Sequence, residues 1–227
     1  MEIALNGNGK IRVARIEIDV PHLKEIITFG LPFIGPNDYQ TVMNKITQEK
    51  ALRSTTAQTF SLVDLALQNT DEAHCKELLS KFRNNYFWTS TENLWGSENV
   101  IVYDNINGKM PSDRKKLLKR FKDGDNSVRV VPYGFKTGSQ SISELVKNPY
   151  ILAQVGDKDF AQDVVARVAE KISKNQPYVF ALNPTTQDVK RYTALGSDCN
   201  VGGLSVAGFC RDGNGGGYAS WVRSQKK

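Results

Sequence analysis

The sequence predicts an α+β fold, and three observations carry that prediction. Apolar residues from Gly35 to Phe82 recur at spacings of three and four. The stretch from Tyr86 to Tyr103 switches to aromatic and β-branched runs. From Tyr178 onward, short extended segments are separated by Asn-Pro and glycine-rich turns. Hydrophobic residues are 40% and charged residues 24% of the 227, a composition able to bury a sizeable core.

Taken in order, Ile11, Val13, Ile16 and Ile18 alternate with charged residues and predict an N-terminal strand whose pairing partner is remote. From Gly35-Pro36 the pattern turns helical. Tyr39, Val42, Met43 and Ile46 share a face, with Pro36 near the first turn. Ser54 caps a second helix through Ala57, Phe60, Val63 and Ala66, and a third runs from Asp71 to Phe82. Tyr86 to Thr91 and Val100 to Tyr103 are strands around a loop from Glu92 to Asn99. Ser112 to Lys122 is a helix, and Val128 to Val131 a strand stopped at Pro132. Helices follow at Ser141 to Val146 and at Asp157 to Ser173. Tyr178 to Leu182 and Val189 to Leu195 are expected to pair across Asn183-Pro184.

The longest stretch free of Asp, Glu, Lys and Arg is Asn175 to Gln187, too short to span a bilayer. The N-terminus lacks the basic-then-apolar order of a signal peptide, so a cytoplasmic location is expected, with surface or virion display left open. Cys75, Cys199 and Cys210 form no CxxC, which excludes a zinc ribbon. Whether Cys199 and Cys210 pair depends on the redox setting; free thiols are the expectation here. The net charge of +6 is a mild bias.

The C-terminal segment stands apart. Eight of the 18 glycines fall between Gly196 and Gly217. Leu204 to Phe209 reads as a strand with Leu204 and Val206 on one face, and Ser205, Ala207 and Phe209 on the other. After the turn Asp212 to Gly217, Tyr218 to Arg223 reads as a closing strand. Lys, Glu, Gln, Met and Trp make up 45 of the 227 residues, so about six are expected among the 30 residues Arg191 to Ser220. None occurs.

Three blocks resemble a known family: Leu52 to Gln58 (LRSTTAQ), Val128 to Gly138 (VRVVPYGFKTG), and Ser141 to Leu145 with Asn148 to Ile151. The resemblance is to archaeal variable proteins of diversity-generating retroelements, built on a C-type lectin fold, and it covers roughly residues 50 to 224. Trp88 to Glu92 also looks like the Trp-Ser-Ser-Thr type motif of such domains. The resemblance implies one C-type lectin-like domain over 1–227, with helical insertions at about 36–83 and 141–173. It implies a hypervariable ligand-binding region at 196–220, rewritten by a reverse transcriptase that randomises template adenines. Asn codons altered in that way never yield Lys, Glu, Gln, Met or Trp, which matches the gap above, and Trp221 would be a fixed framework residue.

On this reading the ligand-binding residues are Cys199, Asn200, Val201, Ser205, Ala207, Phe209, Cys210, Arg211, Asn214 and Tyr218. Phe209 and Tyr218 supply apolar anchor area and Arg211 a forked donor. The expected partner is a macromolecule, a protein first, bound by a monomer. No cofactor, metal or catalytic residue is expected. Only His22 and His74 are available, no Gly-x-Ser-x-Gly or His-Glu-x-x-His occurs, and Asp198 with Asp212 makes no calcium cage. The rival reading is a nucleic-acid-binding module using the basic run Arg114, Lys115, Lys116, Lys119, Arg120 and Lys122.

Overall fold

Pairing begins locally at the N-terminus. In a computed structural model that describes residues 2–12, 17–172, 174–198, 202–213 and 215–223, strands β1 (Glu2–Ala4), β2 (Lys10–Arg12), β3 (Glu17–His22) and β4 (Glu25–Asn37) form an antiparallel meander. The expected single strand with a remote partner is therefore corrected. Ile11 and Ile18 are register partners on two antiparallel strands, β2 and β3, while Val13 and Ile16 lie outside the described residues. The long β4 is hidden in the sequence by Gly30, Pro32, Gly35 and Pro36. It survives these breakers because its pairing with the last strand shifts register twice, at the irregularities where such residues are tolerated.

Helix α1 (Tyr39–Gln48) starts at Asp38, whose carboxylate accepts from the Thr41 N–H, and buries the expected face of Tyr39, Val42, Met43 and Ile46. After β5 (Leu52–Arg53), helix α2 (Thr56–Gln68) opens on a reciprocal capping box between Thr55 and Gln58. Ser54, the expected cap, instead bonds the Ser220 hydroxyl at 2.7 Å. Helix α3 (Ala73–Asn84) is capped by Glu72. Strand β6 (Phe87–Trp95) runs through much of the expected loop, and all nine of its residues are buried. Then come β7 (Asn99–Asp104), α4 (Arg114–Lys122), β8 (Val128–Pro132), β9 (Gly138–Ser139), α5 (Ile142–Leu145) and α6 (Pro149–Val155). A helical segment follows in which α7 (Lys158–Phe160) widens to a π-turn at Ala161–Val165 before α8 (Ala166–Ile172).

The last four strands are β10 (Tyr178–Phe180), β11 (Val189–Asp198), β12 (Gly203–Cys210) and β13 (Gly217–Val222). β10 and β11 do not form the expected hairpin. β10 pairs in parallel with β12, and β11 lies between β6 and β12. The sheet runs β1-β2-β3-β4-β13-β6-β11-β12-β10-β9, with β5 on β13, and β7 and β8 continuing from β6. β13 thus joins the N-terminal meander to the middle of the chain, antiparallel to β4 and parallel to β6.

Two apolar layers cover the sheet. The larger gathers Phe60, Leu78, Phe82, Phe87, Leu195, Leu204 and Val206 with α2, α3, α6 and α8. The second puts the α1 side chains together with Trp88, Ala194, Ala207, Cys210 and Ala219. A smaller cluster, with Leu94, Ile101, Tyr103 and Val128, holds Leu117 of α4. No helix among the described residues is long and apolar enough to cross a membrane.

Candidate ligand-binding surface

Strand β12 shows how the C-terminal segment is held. Leu204 and Val206 are fully buried in the larger core, as their alternation predicts, each contributing roughly 1.5–3 kcal/mol. The opposite face is not open. Ser205 is 0% exposed, between its register partners Tyr178 and Gly196 on the neighbouring strands, and Ala207 is 3% exposed in a second core to which α1 contributes. Cys210 is also buried, at 4%. Ser205, Ala207 and Cys210 therefore do not present side chains to a ligand, a correction to the sequence reading.

Tyr218 is a further correction. It is half-buried on the larger-core side, opposite to Phe209, because it pairs with Phe87 in the parallel β6–β13 register. Its ring lies 6.2 Å from that of Phe87, and Lys81 Nζ sits 5.0 Å from its centroid. Cys199, Asn200, Val201 and Asn214 lie outside the described residues.

What remains at the surface is concentrated at the end of β12. Phe209 is half-buried, 5.5 Å from Phe180, whose ring is 4.2 Å from that of Tyr178. These three rings form a partly exposed row on adjacent strands. Arg211, Asp212 and Gly213 follow, all exposed. The backbone N–H of Gln40, in the first turn of α1, donates to Asp212 Oδ1 at 2.9 Å and ties the turn to the helix. The β11–β12 ladder ends at the Tyr192–Cys210 pair, and Arg191 and Arg211 are the residues adjoining that pair in the chain. Burial, then the charge of Arg211, holds Arg191 below its ordinary proton affinity.

The glycines divide into two kinds. A Cβ on Gly208 would fall 1.5 Å from the Tyr150 hydroxyl, and one on Gly217 2.1 Å from Trp88 Nε1, so both positions are closed to any side chain. Around Gly213 and Gly215 nothing lies within 4 Å. The turn between β12 and β13 has room for larger residues, whereas the strands that carry it do not.

Beneath the surface is a polar framework. Asn93 Oδ1 accepts from the Tyr150 hydroxyl at 2.9 Å and from Gln154 Nε2 at 2.7 Å; its amide donates to Thr193 Oγ1 at 2.8 Å. The Thr193 hydroxyl in turn donates to Gln154 Oε1 at 3.0 Å, so β6, β11 and α6 are locked together. On the other face, the buried Glu92 accepts from the Tyr39 hydroxyl (3.1 Å) and Asn105 Nδ2 (2.9 Å) and pairs with Lys190 Nζ at 2.7 Å. Tyr192 stacks on Tyr39 with centroids 3.6 Å apart; burial and the Glu92 charge push its phenol up to about 12. Sequence reasoning missed Phe180 and Tyr192, which share a core cluster with Phe209, Tyr178, whose ring adjoins Phe180, and Arg191, which feels the charge of Arg211. The only available signal was the i, i+2 spacing of Tyr178 and Phe180 in a strand.

Cys75 and Cys210 are free thiols, pushed by burial up to about 11 and about 12. No group of His, Cys, Asp and Glu among the described residues could hold a metal ion. The basic helix is partly spent on its own fold. Arg114 Nε donates to Asp188 at 2.6 Å and Arg120 Nε to Asp125 at 2.7 Å, leaving Lys115, Lys116, Lys119 and Lys122 as exposed charges.

No family model and no curated protein matches the chain. Among solved structures it matches one described as "Accommodation of massive sequence variation in Nanoarchaeota by the C-type lectin fold", at a TM-score of 0.57 and 15% identity, over 85% of this chain and 97% of that chain. At that identity the likeness is one of fold, and the mixed helix-and-sheet arrangement described above is a C-type lectin fold.

Proposed function

We propose that this chain is a non-enzymatic ligand-binding protein whose C-terminal region is diversified by a retroelement to meet varied macromolecular ligands, proteins first. The whole chain, 1–227, would act as one lectin-like domain, with 36–83 and 141–173 added to the common core. The observation that carries the proposal is the contrast within 196–220: strand positions closed by Tyr150 and Trp88, and a turn, Arg211 to Gly216, with open space around Gly213 and Gly215. The absence of Lys, Glu, Gln, Met and Trp from Arg191 to Ser220 supports the same reading. So does a lectin-fold neighbour described in terms of massive sequence variation.

The contact surface in this proposal is narrower than the sequence alone suggests. Phe209 and Arg211 form its centre, flanked by Phe180, Tyr178 and Arg191. Cys199, Asn200, Val201 and Asn214 belong to it on sequence grounds. The nucleic-acid reading has less support, since two of its six cations are held in ion pairs.

The test is a displayed library randomised at Phe209, Arg211, Asp212, Gly213 and Gly215, selected against several unrelated purified proteins. We expect most members to keep the parent melting temperature and some to bind. Widespread unfolding, or no binders, would refute the display reading. In the genome, a near-identical adenine-rich repeat beside a reverse transcriptase gene is expected next to this coding sequence.

A further inference from the structure

A groove of ≈ 1190 Å³ opens between the β3–β4 turn, α2 and the helical segment from α7 to α8, and none of its lining residues comes from the C-terminal segment. Two independent features of the β3–β4 turn point outward into it. Leu23, which lines the groove, is 59% exposed and has a left-handed backbone, φ +53°. A turn selected for folding alone would place Asn or Gly there, since either relieves both the backbone cost and the exposed apolar surface. Ile26, the register partner of the groove-lining Pro21 in the same hairpin, is 46% exposed. Strain and apolar exposure at one spot, at the mouth of a groove, are the marks of a recognition element.

The opposite wall supplies further apolar surface and charge. It is formed by the π-turn, a helix irregularity frequent at functional sites, with Val164 as its apolar lining member beside the largely buried Phe160 at the end of α7. Asp64 and Arg167 neutralise each other through two bonds, at 3.1 and 3.0 Å. That leaves Glu25, Asp157, Asp159 and Asp163 against Lys24 and Lys171, an acidic groove in a chain whose net charge is +6.

We propose that this groove docks a segment of a separate partner protein, one that presents aliphatic or aromatic side chains flanked by Lys or Arg. The C-terminal surface takes no part in it, so the chain can be held by one protein while engaging another, and the groove stays constant whatever residues occupy the turn after β12.

The test uses the full chain and a phage-displayed library of random dodecapeptides, counter-selected on L23N and on D159N/D163N. Asn suits the left-handed position and the aspartates are exposed, so both variants should melt close to the parent; the double variant carries the test alone if L23N unfolds. Peptides with paired apolar residues beside Lys or Arg should be enriched. Their affinity by fluorescence anisotropy should fall about tenfold on L23N, as for loss of an anchor side chain, and weaken with salt on the parent. The proposal is overturned by failure to enrich peptides above the counter-selected background, by an acidic consensus, or by equal affinity for parent and both variants. It is also overturned if the parent alone self-associates in sedimentation and L23N does not, because a second copy would then be the occupant.

Discussion

Single residues in the C-terminal segment differ in what they tolerate, and the difference is steric. Gly208→Ala places a methyl group against the Tyr150 hydroxyl and is expected to lose about 1–3 kcal/mol in urea unfolding. Gly213→Ala and Gly215→Ala should stay within about 0.5 kcal/mol of the parent. Equal costs at all three would mean that the turn is as constrained as the strand. Glu92 is the other decisive residue. Its carboxylate is 1% exposed and is held by Tyr39, Asn105 and Lys190. Glu92→Ala leaves Tyr39, Asn105 and Lys190 without their acceptor, and we expect a loss of roughly 3–5 kcal/mol, read by denaturant titration.

Among the elements, helix positions were more legible than helix boundaries: the α2 cap falls on Thr55 and not on Ser54, and α6, opened by Asn148, was not read from the sequence. Asp113, Ser141 and Asn148 precede their helices with a side-chain bond to the first turn, and Thr55 with Gln58 closes a capping box on α2. Thr55→Ala should therefore cost about 1 kcal/mol of thermal stability, with Thr55→Asp close to neutral. Strands were less legible. β4 runs through two glycines and two prolines, and β10 pairs with a strand more than twenty residues away rather than with its neighbour in sequence. Ladder partners are chosen by the whole sheet, so a turn signal such as Asn183-Pro184 marks a bend without saying which strands meet.

For the molecule as a whole, a buried histidine links pH to stability. His22 bonds Ser61 Oγ at 2.8 Å and packs against Phe160, and burial lowers its proton affinity below the ordinary value of 6.5. The unfolded chain then binds the proton more readily than the folded one. The contribution is fully present above about pH 6.5 and is lost progressively as pH falls below it. Melting temperatures from pH 8 to 5 should decline more steeply for the parent than for His22→Gln; parallel curves would assign the decline to other groups.

The sequence by itself determined the α+β class, most helix positions, the anchoring of β12 through Leu204 and Val206, and the compositional gap from Arg191 to Ser220. These depend on local periodicity, capping and residue choice. Only the tertiary structure decided which side of β12 faces water. Alternation shows that two faces exist, but α1, more than 150 residues earlier in the chain, shares a second core with Ala207 and Cys210, and Ser205 is buried between β10 and β11, while Phe209 and Arg211, at the strand end, reach the surface. Contact between segments so far apart depends on how the sheet closes, which no local pattern encodes.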